Sequence, residues 1–344
     1  MEMPVERRQC GSNGFRKRVG SHEYCFSGNM TAVMSLMFIA FSVVMRIAVA
    51  QGTTFSFLQF SNYDSGLTLL GDASIGQEDL ALQLTQNNSG RALYRTPILF
   101  TDASSHASIS FQTSFVFSVD PSTDPSSMGE GLTFLIVPDN TTLGSPGPWL
   151  GLFNPINGSS TATPNPLAQT VAVEFDIHKD IEFWDINDNH VGIDINSLDS
   201  IFAKEASSDM QVVNLTSGHI KAWIEYDGQA RKMSVSITPF VATNDYPKPA
   251  QPLLVVDVDL SSYVSEYMFV GFSAATGSGV VNHKVYSWSF ESTDSSLSDF
   301  EDISPTPSPS GPAQPVSQAS LFRAHDCGRL LALLLVLVLS CLAF

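Results

Sequence analysis

The stretch Ser108-Ile-Ser-Phe-Gln-Thr-Ser-Phe-Val-Phe117 alternates almost strictly, with Ile109, Phe111 and Phe115 on one face. A period of two belongs to a half-buried strand, because successive strand side chains point to opposite faces. The same rhythm surrounds it. Phe55, Phe57 and Phe60 open the series, then Ala92-Leu-Tyr94 and Pro97-Ile-Leu-Phe100, and Leu132-Thr-Phe-Leu-Ile-Val137 stops at Pro138-Asp139. Ile220-Lys-Ala-Trp-Ile-Glu-Tyr226 and Lys232-Met-Ser-Val-Ser-Ile-Thr238 flank a turn at Asp227-Gly228 and read as a hairpin. The runs at Leu253–Val258, Met268–Ala274 and Val285–Phe290 complete the set. No sustained helical period separates these strands, which excludes βαβ units and predicts an all-β, antiparallel sandwich or barrel. The aromatic stripes are read as core.

Composition narrows the setting. The 344 residues carry a formal net charge of −17, which argues against nucleic-acid binding. Arg7, Arg8, Arg16, Lys17 and Arg18 precede an apolar run around Met34 to Val44, and Ala48-Val-Ala50 offers small residues for cleavage before Gln51. Residues 1–50 therefore read as a signal peptide and leader, with Met30 as an alternative start and a buried helix as the competing reading. All four cysteines, Cys10, Cys25, Cys327 and Cys341, lie outside residues 51–303. A secreted domain without cysteine must be held by its core and by metals. Sequons at Asn87, Asn140, Asn157 and Asn214 fit a secretory route.

After residue 292 the chain turns acidic and serine-rich. Ser304-Pro-Thr-Pro-Ser-Pro-Ser-Gly-Pro312 then reads as an extended linker, giving a linker region over 293–320. Residues 321–344 end in an apolar run from Leu330. With small residues around Ser317-Gln-Ala319 upstream, this is the layout of a GPI-attachment signal. A short C-terminal membrane anchor is the alternative.

Chemistry concentrates between Val171 and Asn196. Glu174 and Asp176 project from one face of a strand, Asp180, Glu182 and Asp185 follow in a loop, and His190 opens the next apolar run. Imidazole beside carboxylates suits a transition metal, and oxygen alone suits calcium. A solvated acidic turn with a core-edge histidine is the competing reading.

Residues 53–292 resemble the legume-type (L-type) plant lectins, above all the lectin ectodomains of plant receptor kinases, without a kinase. The resemblance is carried by Gly90-Arg-Ala-Leu-Tyr94, Phe111-Gln-Thr-Ser-Phe115, Gly131-Leu-Thr-Phe134, Leu150-Gly-Leu-Phe-Asn154, Val173-Glu-Phe-Asp176 and His190-Val-Gly-Ile-Asp-Ile-Asn-Ser197. Ala222-Trp-Ile-Glu-Tyr-Asp-Gly228, Val270-Gly-Phe-Ser-Ala274 and Ser287-Trp-Ser-Phe290 complete it in family order. It implies a concanavalin-like jelly-roll sandwich over residues 51–292, with loops holding Ca²⁺, Mn²⁺ or another transition metal, and sugar. By position, Glu174 and His190 are implied ligands of the transition metal, and Asp176 and Asp185 of both ions. His178 through its backbone carbonyl and Asp180 through its side chain are implied ligands of calcium, and Ser200 reaches the transition metal through water.

The resemblance places the carbohydrate contacts at Glu130, Pro148, Trp149, His178 and Asp180, and there the sequence departs from the family. Glu130 stands where an aspartate is usual, and its extra methylene moves the carboxylate by about 1 Å. Pro148 replaces a glycine and has no N–H to donate. Asp180 replaces an asparagine, losing an amide donor and adding charge. His178 takes the place of an aromatic stacking residue. The loop Gly277-Ser-Gly-Val-Val-Asn-His283 resembles the one that sets specificity.

The expected function is a metal-dependent, non-catalytic lectin on the outer face of the plasma membrane or in the cell-wall space, binding glycans or glycoproteins. The altered polar clamp keeps a second reading open, a lectin-like receptor component for a protein, peptide or apolar ligand; a receptor kinase or an apoplastic ligand is a further expected partner. An enzyme is not expected. Glycoside hydrolases of this architecture use Glu-x-Asp-x-(x)-Glu on one strand, whereas Glu174-Phe-Asp176 is followed by Ile177, His178 and Lys179. A homodimer through the back sheet is the family's habit.

Overall fold

The computed structural model describes residues 15–19, 22–26 and 52–293, the last apart from 62–65, 87, 103–106, 122–128, 156–167, 210, 242–246 and 278–280. The expected cleavage site, the sequons at Asn87 and Asn157, the Pro/Ser linker and the C-terminal anchor lie outside these residues. Within the expected leader, Phe15–Val19 and His22–Phe26 pair with each other as an antiparallel hairpin. Among the described residues no helix is long and apolar enough to cross a membrane.

The alternating runs pair into two main sheets, and every pairing is antiparallel. The first runs, edge to edge, through Phe202–Glu205, His190–Ile195, Val171–Asp176, Leu132–Val137, Tyr267–Ala275, Ser89–Tyr94 and Leu67–Gly71. The second runs through Leu254–Asp257, Lys232–Phe240, His219–Asp227, Ser110–Pro121, Val281–Thr293, Leu82–Gln83 and Ser74–Ile75. The expected hairpin is present as His219–Asp227 against Lys232–Phe240. Its turn is closed by the Asp227 carboxylate, which accepts the N–H groups of Gln229 and Ala230. A side chain that mimics a backbone turn is the usual reason for aspartate there.

The core lies between the sheets, and aromatic rings fill it. Phe272 meets Phe115 and Trp288 edge-on with centroids 4.9 Å apart in each case, and Phe175 lies 5.7 Å from Phe115. Such contacts add about 0.5–1.5 kcal/mol each beyond the area they bury. The Trp288 indole N–H is not stranded by this burial, since it donates to Thr113 Oγ1 at 3.0 Å.

A second, smaller apolar cluster covers the other face of the first sheet. Leu93, Leu135, Val137 and Ala172 join Leu150, Leu152, Phe183 and Leu198 there. Their strand neighbours Ala92, Phe134, Ile136, Val171 and Val173 belong to the inter-sheet core. Leu132–Val137, Val171–Asp176 and His190–Ile195 are consequently buried at every position, as in sheets covered on both faces. Buried Arg91 anchors the covering loop by donating to the carbonyls of Thr142 (2.8 Å), Gly151 (2.7 Å) and Leu152 (3.0 Å). That loop carries Pro148 and Trp149.

Candidate functional site

Strand register assembles the site on the loop-covered face of the first sheet. Asp176 pairs with His190, Glu174 with Gly192, and Ala172 with Asp194. Side chains directly opposite on antiparallel strands share a face, so Glu174, Asp176, His190 and Asp194 converge. Gly192 is required opposite Glu174: a Cβ there would stand 2.1 Å from Ser200 Oγ and 2.3 Å from Glu174 Oε1. The missing side chain opens the space in which these two groups meet.

The loop after Asp176 folds back by capping its own amides. Asp176 Oδ1 accepts the His178 N–H at 2.6 Å, and Asp185 Oδ2 accepts the Asp180 N–H at 2.6 Å. Between them Ile181–Phe183 makes one 3-10 turn, closed by Trp184 in the left-handed region. Phe183 packs inward, its ring 5.3 Å from Trp149 and edge-on to it. Trp149 is thus half-buried in the cluster beneath the loop. The turn bearing Pro148, Gly147–Trp149, is tied down by the Gly147 N–H, which donates to Thr276 O at 3.0 Å.

Three groups of ligand-type atoms result, each within 4.8 Å of one another. Glu174, Asp176 and His190 form a mixed nitrogen and oxygen set, and Asp176, Asp180 and Asp185 an all-oxygen set sharing Asp176 with the first. The third comprises Glu130, His178 and Asp180. The five residues named from the sequence as side-chain metal ligands, Glu174, Asp176, Asp180, Asp185 and His190, therefore lie together, and His178, named for its backbone carbonyl, joins the third group by its imidazole. His190 Nδ1 lies 2.8 Å from Asn187 O, and a carbonyl can only accept, so Nδ1 carries a proton and Nε2 is the ring nitrogen that faces the carboxylates. Nε2 stands 3.3 Å from Glu174 Oε1 and 3.9 Å from Asp185 Oδ1. Two ligands about 2.1 Å from one tetrahedral ion stand roughly 3.4 Å apart. The donor types and spacing fit a divalent transition ion beside a calcium-type oxygen set.

Electrostatics agrees. Burial, reinforced by the charge of Glu174, holds Asp176 well above the usual carboxylate range. Burial likewise pushes Asp185 up to about 7 and Glu130 up to about 8, with the Asp180 charge adding to Glu130. For His190 burial opposes the charged form, but the hydrogen bond and charge of Glu174 prevail and raise it. Among the described residues, lysine and arginine form ion pairs with Asp259, Asp257, Glu225 and Asp79, and with none of these acids. Buried carboxylates without a cationic partner either stay protonated or take up a metal ion.

Two contributions were not drawn from the sequence. Asp194 is fully buried, and its Oδ1 shares the Ser200 hydroxyl (2.7 Å) with Glu174 Oε1 (2.8 Å), tying Ser200 to the transition-metal set. Its spacing from Gly192 and His190, two and four residues along one strand, was the available signal. Ile181 and Trp184 are 76% and 79% exposed, an apolar rim beside Asp180. Nothing in the residue pattern distinguishes them from the buried Phe183 between them. Among the described residues every peptide bond is trans, Gly129–Glu130 included.

Fold and site together define an antiparallel β-sandwich that carries an acidic, metal-type loop site over one sheet. The comparisons with known proteins give that class its family. The legume lectin domain matches residues 52–305, and the chain belongs to the legume lectin family, a family of carbohydrate-binding proteins. The L-type lectin-domain containing receptor kinase VIII.1 of Arabidopsis thaliana is 39% identical over 265 residues, covering 75% of this chain and 34% of the kinase. The chain thus spans about a third of that relative's length. A lectin-like protein of the same plant is 36% identical over 275 residues, covering 72% of this chain and 96% of its own. Among solved structures, basic winged bean lectin with Tn-antigen is 30% identical with a TM-score of 0.59, over 71% of this chain and 99% of that one.

Proposed function

We propose that this chain is a metal-dependent, non-catalytic carbohydrate-binding lectin of the extracellular side. Its ligands would be glycans or glycoproteins. Convergence of Glu174, Asp176, Asp185 and His190, with no lysine or arginine paired to these acids among the described residues, carries the reading. Glu174, Asp176, Asp185 and His190 would hold the transition ion, with Ser200 behind Glu174. Asp176, Asp180, Asp185 and the His178 carbonyl would hold calcium. The ions would supply positive charge in place of protons and stiffen the loop. The chain's own groups would meet the sugar. Glu130 and Asp180 accept hydroxyl protons, and the half-exposed His178 ring offers a face and a donor. Pro148 supplies shape but no hydrogen bond. A glycan array probed with calcium and manganese present, and again after chelation, tests this. Binding should appear only with metal, and a blank array in both conditions would sink the sugar-binding claim.

The exposed Ile181 and Trp184 favour one second reading, a receptor component for a peptide or apolar ligand. Partner capture that survives Glu130→Ala but fails with Trp184→Ala would favour it over sugar binding. Residues 1–50 as a leader, 293–320 as a linker and 321–344 as a GPI signal or short anchor belong to the same proposal. Release from membranes by a phosphatidylinositol-specific phospholipase would separate lipid anchor from span. Dimerisation through the back sheet would appear as a doubled mass in light scattering.

A further inference from the structure

The third group of ligand atoms falls where a sugar clamp was expected. We propose that Glu130, His178 and Asp180 form a separate cation site of the zinc type, additional to the calcium and transition-metal pair. It goes beyond the carbohydrate reading and does not require that a sugar bind.

Four observations converge on it. The carboxylates and the imidazole offer atoms mutually within 4.8 Å. His178 Nε2 stands 3.7 Å from Asp180 Oδ1, too far for a hydrogen bond but close to the roughly 3.4 Å between two ligands of one tetrahedral ion. Glu130 is only 5% exposed, and its Oε2 has no hydrogen-bond partner. A buried carboxylate oxygen left unpaired is costly, and a cation bound there would satisfy it. Glu130 is also held in place, because it lies against Gly277, where a Cβ would come within 2.2 Å of Oε1.

The residue types explain why the site belongs to this chain. Glutamate at position 130 reaches further than aspartate, and aspartate at 180 adds a second charge where an amide would have donated. His178 contributes borderline-soft nitrogen. One nitrogen and two carboxylate oxygens form the three-ligand set that leaves zinc a fourth, open position. The His178 side chain is 45% exposed, so that position faces solvent and would take water or an oxygen of a bound ligand. Asp180 would bridge this ion to the calcium set through its second oxygen.

His178 permits a clean test, because its implied role toward calcium uses the backbone carbonyl and the new role uses the side chain. The full chain is equilibrated with calcium and buffered free zinc, desalted, and its metals counted by mass spectrometry of the elements. Zinc outcompetes manganese at nitrogen and oxygen sites. The wild type should therefore hold two zinc ions and one calcium per chain. His178→Ala should hold one zinc and one calcium, and Glu130→Gln should weaken the second zinc at least tenfold. A wild type with one zinc and one calcium overturns this proposal alone. A wild type with neither metal overturns it together with the two-ion reading. Two zinc ions retained by His178→Ala would also overturn it, since the second ion would then sit elsewhere.

Discussion

Glu130 makes the metal-free protein acid-stabilised, in a direction opposite to most carboxylates. Burial and the Asp180 charge hold it at about 8 in the folded chain, against an ordinary value of 4.5. Because the folded value lies above the unfolded one, folding takes up a proton. The associated stability is fully present below about 4.5 and is lost as pH rises to about 8. That displacement is worth on the order of 5 kcal/mol at full ionisation, an upper figure because the Glu130–Asp180 pair shares it. For a domain of this size each kcal/mol moves Tm by about 2–4 °C, so the metal-free Tm should fall by roughly 10–15 °C between pH 5 and 9. Differential scanning fluorimetry after chelation and dialysis measures it. Rising net negative charge and the raised Asp176 and Asp185 carboxyls also lower Tm with pH, and Glu130→Gln isolates the Glu130 share by removing that one carboxyl. Its decline should be smaller than that of the wild type. With saturating calcium and manganese the share owed to Asp176 and Asp185 should vanish, since cations stand where protons stood, while the Glu130 share remains. A metal-free Tm that is flat or rising over this range, or equal slopes in wild type and Glu130→Gln, would refute the reasoning.

Gly192→Ala inserts a Cβ 2.1 Å from Ser200 Oγ and 2.3 Å from Glu174 Oε1. It should therefore reduce transition-metal affinity at least tenfold in competition titrations while the calcium set is less affected. Ser200→Ala removes the hydroxyl shared by Glu174 and Asp194 and should cost about 10–100-fold in the same titration. Phe272→Ala empties a fully buried position ringed by Phe115, Phe134 and Trp288. Urea unfolding should show a loss of about 3–5 kcal/mol, seen as a lower midpoint at unchanged slope.

Much of this was legible in the residues. Period-two alternation follows from the strand backbone itself, so Ser108–Phe117 announces a half-buried strand before any partner is known. The same rule puts Glu174 and Asp176 on one face. It failed to announce burial on both faces of Leu132–Val137 and Val171–Asp176, because the loop layer with Trp149 and Phe183 arrives from elsewhere in the chain. The clamp substitutions were visible as residue types, but their consequence was not.

Sequence alone therefore determined the all-β class, the ligand-type residues and the absence of cysteine from residues 51–303. Tertiary structure decided the rest. It set Gly192 opposite Glu174, brought Glu130 from a distant segment onto His178 and Asp180, and left Glu130 Oε2 and Asp194 Oδ2 buried without a hydrogen-bond partner. The physical reason is that periodicity is local, whereas register and desolvation exist only once distant strands have paired and loops have closed over them.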